Sequence, residues 1–325
     1  MLIKCPECGN DISEFSVQCP HCGCPSMKYF SNENDFIFEK RDDGLFITKY
    51  CGSACNVVIP ANYNGEKVVG IGENAFSKME TISSVKISEG IKYIADNAFD
   101  CCKSLSVAIF PSTLITIGNS AFHKCRLKEI KLFEGLQEIG KHCFSFCVPL
   151  NKIEMPKSVT MIGGHAFYFT AWMLEQQKKN PLVVVNNILI DGEKAKGNIR
   201  IPYDVSKIAS YAFYDNFDME SVLITRNVQE IGYMAFSGCV KLKTVDIEEG
   251  VETIRHSAFA NSRALSLVNI PSSVTHIGGA AFCPCPNLSV FCARSRIAPG
   301  WALNWVDENA TVTWESKFPL SAFRF

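Results

Sequence analysis

Long apolar runs are missing from this 325-residue chain. None approaches the roughly 18 residues that a membrane-crossing helix requires, so no span is expected. An excess of charge is missing too: 32 Lys and Arg stand against 33 Asp and Glu, a formal net charge of −1. Such a balance supplies no bulk field to draw nucleic acid or anionic lipid. No apolar stretch follows Met1-Leu2-Ile3-Lys4-Cys5, so no signal peptide is expected. Catalytic signatures are absent as well. There is no Ser/His/Asp order, no phosphate loop and no carboxylate pair. His123, His142, His165, His256 and His276 occupy variable slots, and only His142 and His165 share a repeat position on adjacent copies. The chain reads as a non-enzyme. Disorder is excluded by a hydrophobic content of 47%.

Cysteine, by contrast, is plentiful, with 16 residues. Without a leader, that number fits a reducing compartment, with metal ligands and buried thiols rather than a disulfide frame. A cytoplasmic location is therefore expected. Cys5-Pro6-Glu7-Cys8-Gly9 and Cys19-Pro20-His21-Cys22-Gly23 are two copies of one knuckle, Cys-Pro-x-Cys-Gly. Each Cys-x-x-Cys offers two thiolates to one ion from a tight turn, which its Gly helps to close. Together Cys5, Cys8, Cys19 and Cys22 make a four-cysteine site with no open position, the pattern of a structural Zn2+. His21 and Cys24 are bystanders. So short a module cannot bury a core, so metal binding and folding should be one event. Lys4 and Lys28 against Glu7, Asp11 and Glu14 leave no basic patch for phosphates, so nucleic-acid binding through the ribbon is the weakest of the functional alternatives.

The rest of the chain is organised around Ile-Gly-x-x-x-Phe. Its Phe recurs at Phe76, Phe99, Phe122, Phe144, Phe167, Phe213, Phe236, Phe259 and Phe282, in steps of 23 except one of 22 and one of 46. An Ile lies five residues before each Phe. A fixed period of this size means a solenoid. Between one Phe and the next Ile runs Phe-x5-Leu-x2-Val-x-Ile-Pro-x2-Val-x2-Ile, as in Phe259 to Ile277. The alternation predicts a short strand with one buried face, ended by Pro. The Gly after Ile is expected to ease a turn, and Ala-Phe to form a short helical or irregular return. Stacked strands then make one parallel sheet, with each Phe packed between its neighbours. Three residues after the Phe, Cys102, Cys125, Cys147, Cys239 and Cys285 alternate with Met79, Thr170, Asn216 and Ser262. A slot this permissive reads as a small buried filler rather than a metal or redox site.

The boundaries follow. Residues 1–25 form the ribbon, 26–35 a linker, and 36–70 an N-terminal cap with turn signals at Asp42-Asp43-Gly44 and Asn64-Gly65. Residues 71–293 hold about ten repeats, enlarged over 170–202 by a short amphipathic helix ending before Pro181 and a hairpin. Residues 294–325 form a C-terminal cap and tail, where Trp301, Trp305 and Trp314 would cover the last rung. The tail from Phe318 to Phe325 is more apolar than a cap needs, and could dock on the cap or on a partner.

The 23-residue unit Leu-x2-Val-x-Ile-Pro-x2-Val-x2-Ile-Gly-x2-Ala-Phe-x2-Cys resembles the BspA-like leucine-rich repeat, over about residues 36–315. The cap at Thr48-Lys49-Tyr50-Cys51-Gly52, the enlarged middle repeat and the Gly-Trp…Asn-Trp…Trp ending are similar to that family, as is the pairing with a Cys-Pro-x-Cys-Gly ribbon in bacterial proteins. The resemblance implies a leucine-rich-repeat solenoid. It also implies, as an alternative function, adhesin-like binding of host or matrix protein at a cell surface.

On the residues themselves, the preferred function is a non-catalytic scaffold that binds a protein partner on its sheet face. The residue between the buried Val and Ile of each strand should face outward. That stripe reads Lys86, Ile109, Lys131, Glu154, Arg200, Leu223, Asp246 and Asn269, with Val58 and Cys292 at its ends. Mixed charge and aliphatics suit a protein better than a uniform polyanion, because alternating signs set register.

Overall fold

The computed structural model describes residues 2–5, 8–13, 16, 19–23 and 31–317. Expectations for Cys24, for residues 26–30 of the linker and for the tail from Phe318 lie outside the described residues. The chain divides into two compact units, Met1–Glu175 and Gln176–Phe325.

In the first unit, the ribbon backbone pairs Leu2–Lys4 antiparallel with Asp11–Ser13. Two hairpins follow: Phe36–Arg41 with Gly44–Tyr50, and Asn62–Tyr63 with Glu66–Ile71. Asn64 and Gly65 turn the second with positive φ, as an Asn-Gly pair favours. Beyond them the repeat builds two parallel ladders where one was expected. One contains the alternating strands Asn56–Ile59, Ser84–Ile87 and Val107–Ile109. The other is made by the Ile of Ile-Gly in two-residue strands such as Tyr93–Ile94 and Thr116–Ile117. Every Ile of the repeat from Ile71 to Ile162 joins this second ladder. The return through Ala-Phe is a pair of turns rather than a helix. Non-glycine residues two before and two after the Phe are left-handed, for example Asn97 and Cys101 around Phe99 (φ 56° and 58°). Only some of these positions carry the Asn that such backbone favours, so the pattern was not legible.

The Gly after Ile does something other than ease that turn. At Gly163 φ is unexceptional, but an added Cβ would lie 2.3 Å from the Lys141 nitrogen on the preceding rung. The missing side chain allows rungs to approach, a packing requirement rather than a conformational one.

Phe76, Phe99, Phe122, Phe144 and Phe167 are buried and stack at centroid spacings of 4.7, 5.0, 5.4 and 5.7 Å. Tyr50 covers the first ring at 5.3 Å. Trp172, on the helix Ala171–Lys179, meets the last at 5.3 Å.

The second unit opens with the antiparallel pair Val183–Val185 and Ile188–Asp191, turned by Asn186 and Asn187 with positive φ. Two ladders then run as in the first unit, one through Gly197–Arg200, Met219–Ile224, Thr244–Ile247, Leu267–Ile270, Ser289–Cys292 and Thr311–Trp314. Phe213, Phe236, Phe259 and Phe282 stack at 4.6, 4.9 and 5.0 Å, and Trp305 closes the row edge-on at 5.9 Å. Trp301 packs on Trp305 and donates its indole N–H to the Val274 carbonyl at 3.2 Å.

The cysteine slot proves to be more than filler. The Cys102, Cys125, Cys147 and Cys239 thiols each donate to the carbonyl of the Phe one rung earlier, at 3.0–3.2 Å. Ser262 donates to Phe236 in the same way. Asn216 instead donates to the carbonyls of Gly192, Glu193 and Ala195 and accepts from the N–H groups of Asp218 and Met219. Apart from Met79 in the first copy, these occupants are short side chains with a donor, which explains why Cys, Ser and Asn interchange there. Burial pushes the Cys102, Cys147 and Cys239 thiols up to about 12, so they stay protonated donors.

Candidate partner-binding face and metal centre

The two knuckles bring the Sγ atoms of Cys5, Cys8, Cys19 and Cys22 within 4.8 Å of one another. Gly9 and Gly23, with φ of 71° and 73°, donate their N–H groups to the Cys5 and Cys19 carbonyls at 2.8 Å and close the turns. Cys5 and Cys22 are 3.6 Å apart and Cys8 and Cys19 3.7 Å. A tetrahedron with metal–sulfur bonds of about 2.3 Å has edges of about 3.8 Å, so the spacing fits one ion. Burial opposes ionisation of Cys19, but the backbone N–H groups of His21 and Cys22 outweigh it and bring the thiol below its ordinary value. Four close cysteines can thus hold a metal.

The sheet-face stripe divides. In the first unit Lys86 is exposed, Ile109 is 53% exposed, and Lys131 and Glu154 are exposed and pair with each other at 3.5 Å. Lys152 joins them, 3.2 Å from Glu154 and 3.8 Å from Glu129. In the second unit Arg200 is exposed, but Leu223, Asp246 and Asn269 are 6%, 0% and 2% exposed. The outward stripe expected from the repeat is therefore corrected at these three positions. They hold the expected register, Leu223 beside Asp246 and Asp246 beside Asn269, yet are shut off from water. Cys292 is also corrected. It pairs with Ile270 and points inward, and Phe291 takes the stripe position opposite Asn269. The cause is one residue fewer between Leu288 and Val290 than between Leu265 and Val268.

A second feature comes from the 22-residue step. Phe122 is followed by Leu127 after five residues, where Phe99 is followed by Leu105 after six. The residue is lost in the turn before the strand. The parallel ladder stops at Val107–Ile109 and resumes with Glu129–Lys131 paired to Lys152–Glu154. At the interruption lies a concavity of about 560 Å³, lined by Val107, Ile109, Phe133, Lys131, Lys152 and Glu154 among others. Val107 and Ile109 show 49% and 53% of their surface to solvent there. The irregular step was visible in the sequence, but not that it opens the face.

His142 and His165 sit with ring centroids 5.4 Å apart, as their shared slot implies, and burial lowers the His142 pKa. The sequence reading passed over a cluster at Asp100, Cys101 and His123, whose ligand atoms lie within 4.8 Å of one another. The His123 Nδ1 is 2.8 Å from Asp100 Oδ1. The two residues directly follow Phe99 and Phe122, a shared slot that would have shown the pairing.

The family model described as the BspA type leucine rich repeat region matches in six copies, over residues 47–177 and 193–296. No curated protein matches the chain. Among solved structures, a leucine-rich repeat protein from Eubacterium ventriosum is 17% identical, over 88% of this chain and 95% of that one, with a TM-score of 0.48. The pneumococcal vaccine antigen PcpA is 19% identical, over 86% and 88%, at 0.46. The T. pallidum leucine rich repeat protein TpLRR is 24% identical, over 72% and 90%, at 0.39. With the family model covering more than half of its length, the chain belongs to the BspA-type leucine-rich repeat family.

Proposed function

We propose that the protein is a non-catalytic scaffold that binds a protein partner at the interruption of the first-unit sheet. The observation that carries this reading is the concavity beside Ile109. Val107, Ile109 and Phe133 give it apolar lining, and Lys131, Lys152 and Glu154 charged lining. Such a surface takes an apolar side chain from the partner at its centre and charged groups at its edge, the usual division of an interface. The lining charges are already paired with each other. Solvent screens such exposed pairs heavily, so exchanging them for a partner's charges costs little. Lys86, Lys131 and Glu154 then set register around Ile109, and Arg200 lies on the separate second-unit face.

In the ribbon, Zn2+ held by Cys5, Cys8, Cys19 and Cys22 is structural, because all four positions are filled by protein. The metal-thiolate cluster and the buried S–H donors both require reduced sulfur, which supports a cytoplasmic location. The test of the binding reading is Ile109→Glu in the full chain. A partner that co-purifies with the wild type should be lost from this variant at unchanged thermal stability. Retention at wild-type affinity would refute it.

A further inference from the structure

The turn that follows each Phe sets side chains of successive rungs side by side. Its first position holds Asp100 on one rung and His123 on the next. The His123 Nδ1 lies 2.8 Å from Asp100 Oδ1, and the Asp100 and His123 side chains are only 18% and 22% exposed. Cys101 fills the second position, and its thiol hydrogen-bonds to the same carboxylate. A carboxylate only accepts, so Asp100 receives both the imidazole N–H and the S–H. The ligand atoms of the three residues lie within 4.8 Å of one another. Among the nine Phe turns, Asp and His share the first position on neighbouring rungs only here, and a cysteine stands beside them.

The backbone holds this arrangement in place. Cys101 N–H donates to the His123 carbonyl at 2.8 Å, which ties the two rungs at the cluster itself. Lys78 N–H donates to the Asp100 carbonyl at 2.7 Å, and Asp100 N–H to that of Asn97 at 3.0 Å. Cys101 is left-handed, with φ of 58°, a conformation that a non-glycine residue keeps where its surroundings impose it. The His123 ring packs edge-on against Phe146 at 5.7 Å. Side chains on so fixed a frame need little ordering to share an ion.

An ion pair alone would account for Asp100 and His123, but not for a thiol on the same carboxylate. Thiolate sulfur, imidazole nitrogen and carboxylate oxygen together are a zinc donor set. With bonds of about 2.0–2.3 Å, the edges of such a tetrahedron are about 3.3–3.6 Å. The 2.8 Å pair has to open slightly, and the remaining distances to close from at most 4.8 Å. Side-chain rotation covers both movements. With Nδ1 as the ligand atom, the imidazole proton moves to the other ring nitrogen, and the Cys101 proton leaves to solvent. One proton is thus released per ion bound.

We propose that Asp100, Cys101 and His123 form a second metal site, a Zn2+ site with three protein ligands and a fourth position left to solvent. It does not rest on the partner-binding reading, because the cluster belongs to the Phe turn and the concavity to the strand face. Burial and Asp100 push the Cys101 thiol up, so an entering ion must displace its proton. Three mixed ligands of this kind hold zinc less tightly than the four cysteines of the ribbon. The ribbon therefore keeps its ion through purification, while the second site fills on titration.

The test is titration of the purified full chain, zinc already in the ribbon, with Co2+, which takes zinc's ligands and is visible spectroscopically. One further equivalent should bind without release of zinc, and give thiolate-to-cobalt charge transfer together with the visible bands of tetrahedral cobalt. His123→Ala should weaken this uptake at least tenfold, since even the outer partners of a metal site are worth that much. Cys101→Ala should abolish the charge-transfer band. His123→Cys exchanges one ligand for a second thiolate and should keep the ion with a stronger charge-transfer band, a gain that poor folding cannot produce. Cys51→Ala removes an exposed cysteine elsewhere and should change nothing. No uptake beyond the ribbon, a band that survives Cys101→Ala, or a band lost in Cys51→Ala would each overturn the proposal.

Discussion

Phe236→Ala removes the ring at the middle of the second-unit row, which is 0% exposed. It lies 4.6 Å from Phe213 at an interplanar angle of 9° and 4.9 Å from Phe259 at 5°. Truncating a buried Phe costs about 3–5 kcal/mol through lost transfer energy and the cavity left behind. Here the upper part of that range applies, about 4–5 kcal/mol. Both stacking partners lose a neighbour, and the rungs are held by backbone bonds on either side, Phe213 N–H to Ala235 and Phe236 N–H to Ala258, each 2.7 Å. Such a frame cannot collapse into the cavity. The assay is urea unfolding followed by tryptophan fluorescence, with Trp301 and Trp305 at the end of the same row reporting on this unit. Phe146→Ala serves as the control, since that ring is 38% exposed and its loss should cost about 1 kcal/mol. If the two substitutions cost the same, the stacked row is not what holds the rungs together.

Three further outcomes are expected. Asp191, 6% exposed, is pushed up to about 6 by burial, against help from Gln177. Because the folded pKa is raised above the ordinary 3.8, the native state resists ionisation. The penalty is absent below pH 3.8, grows between 3.8 and about 6, and is complete above that. At roughly 1.4 kcal/mol per pH unit it reaches about 3 kcal/mol. Asp191→Asn should therefore stabilise the protein by up to that amount at pH 8 and hardly at pH 3.5; equal effects at both values would refute the assignment. Asn216→Ala strips five hydrogen bonds from buried backbone groups and should cost at least about 3 kcal/mol in urea unfolding, whereas Cys239→Ser keeps its donor and should cost less than about 1.5 kcal/mol. Metal analysis should find one zinc per chain, lost in Cys8→Ser, while the solenoid's unfolding midpoint stays put; a solenoid that melts with the metal would contradict a self-contained ribbon.

The sequence carried the repeat and its core almost completely, because a stacked row demands the same apolar residue at the same place in every rung. Phe76 to Phe282 and the Ile that precedes each could be read without a structure. The second ladder was harder to see, since two-residue strands such as Thr116–Ile117 leave no alternation. The left-handed turn positions were hidden because backbone stacking imposes them on residues as different as Tyr211 and Met234. The stripe was legible at Lys86, Ile109, Lys131 and Glu154, which are exposed. It misled at Leu223, Asp246 and Asn269, because local alternation says which way a side chain points and not what lies above it. The concavity depends on one deleted residue, whose effect is on the pairing of two strands and not on the pattern of either.

Photo-crosslinking resolves by position whether the partner binds at the first-unit interruption. A photoreactive phenylalanine analogue is placed at Ile109, at Lys131 and, for comparison, at Leu223 in the full chain inside cells. Binding there gives one discrete protein adduct shared by positions 109 and 131 and none from position 223. An adduct from 223 with none from 109 would contradict it.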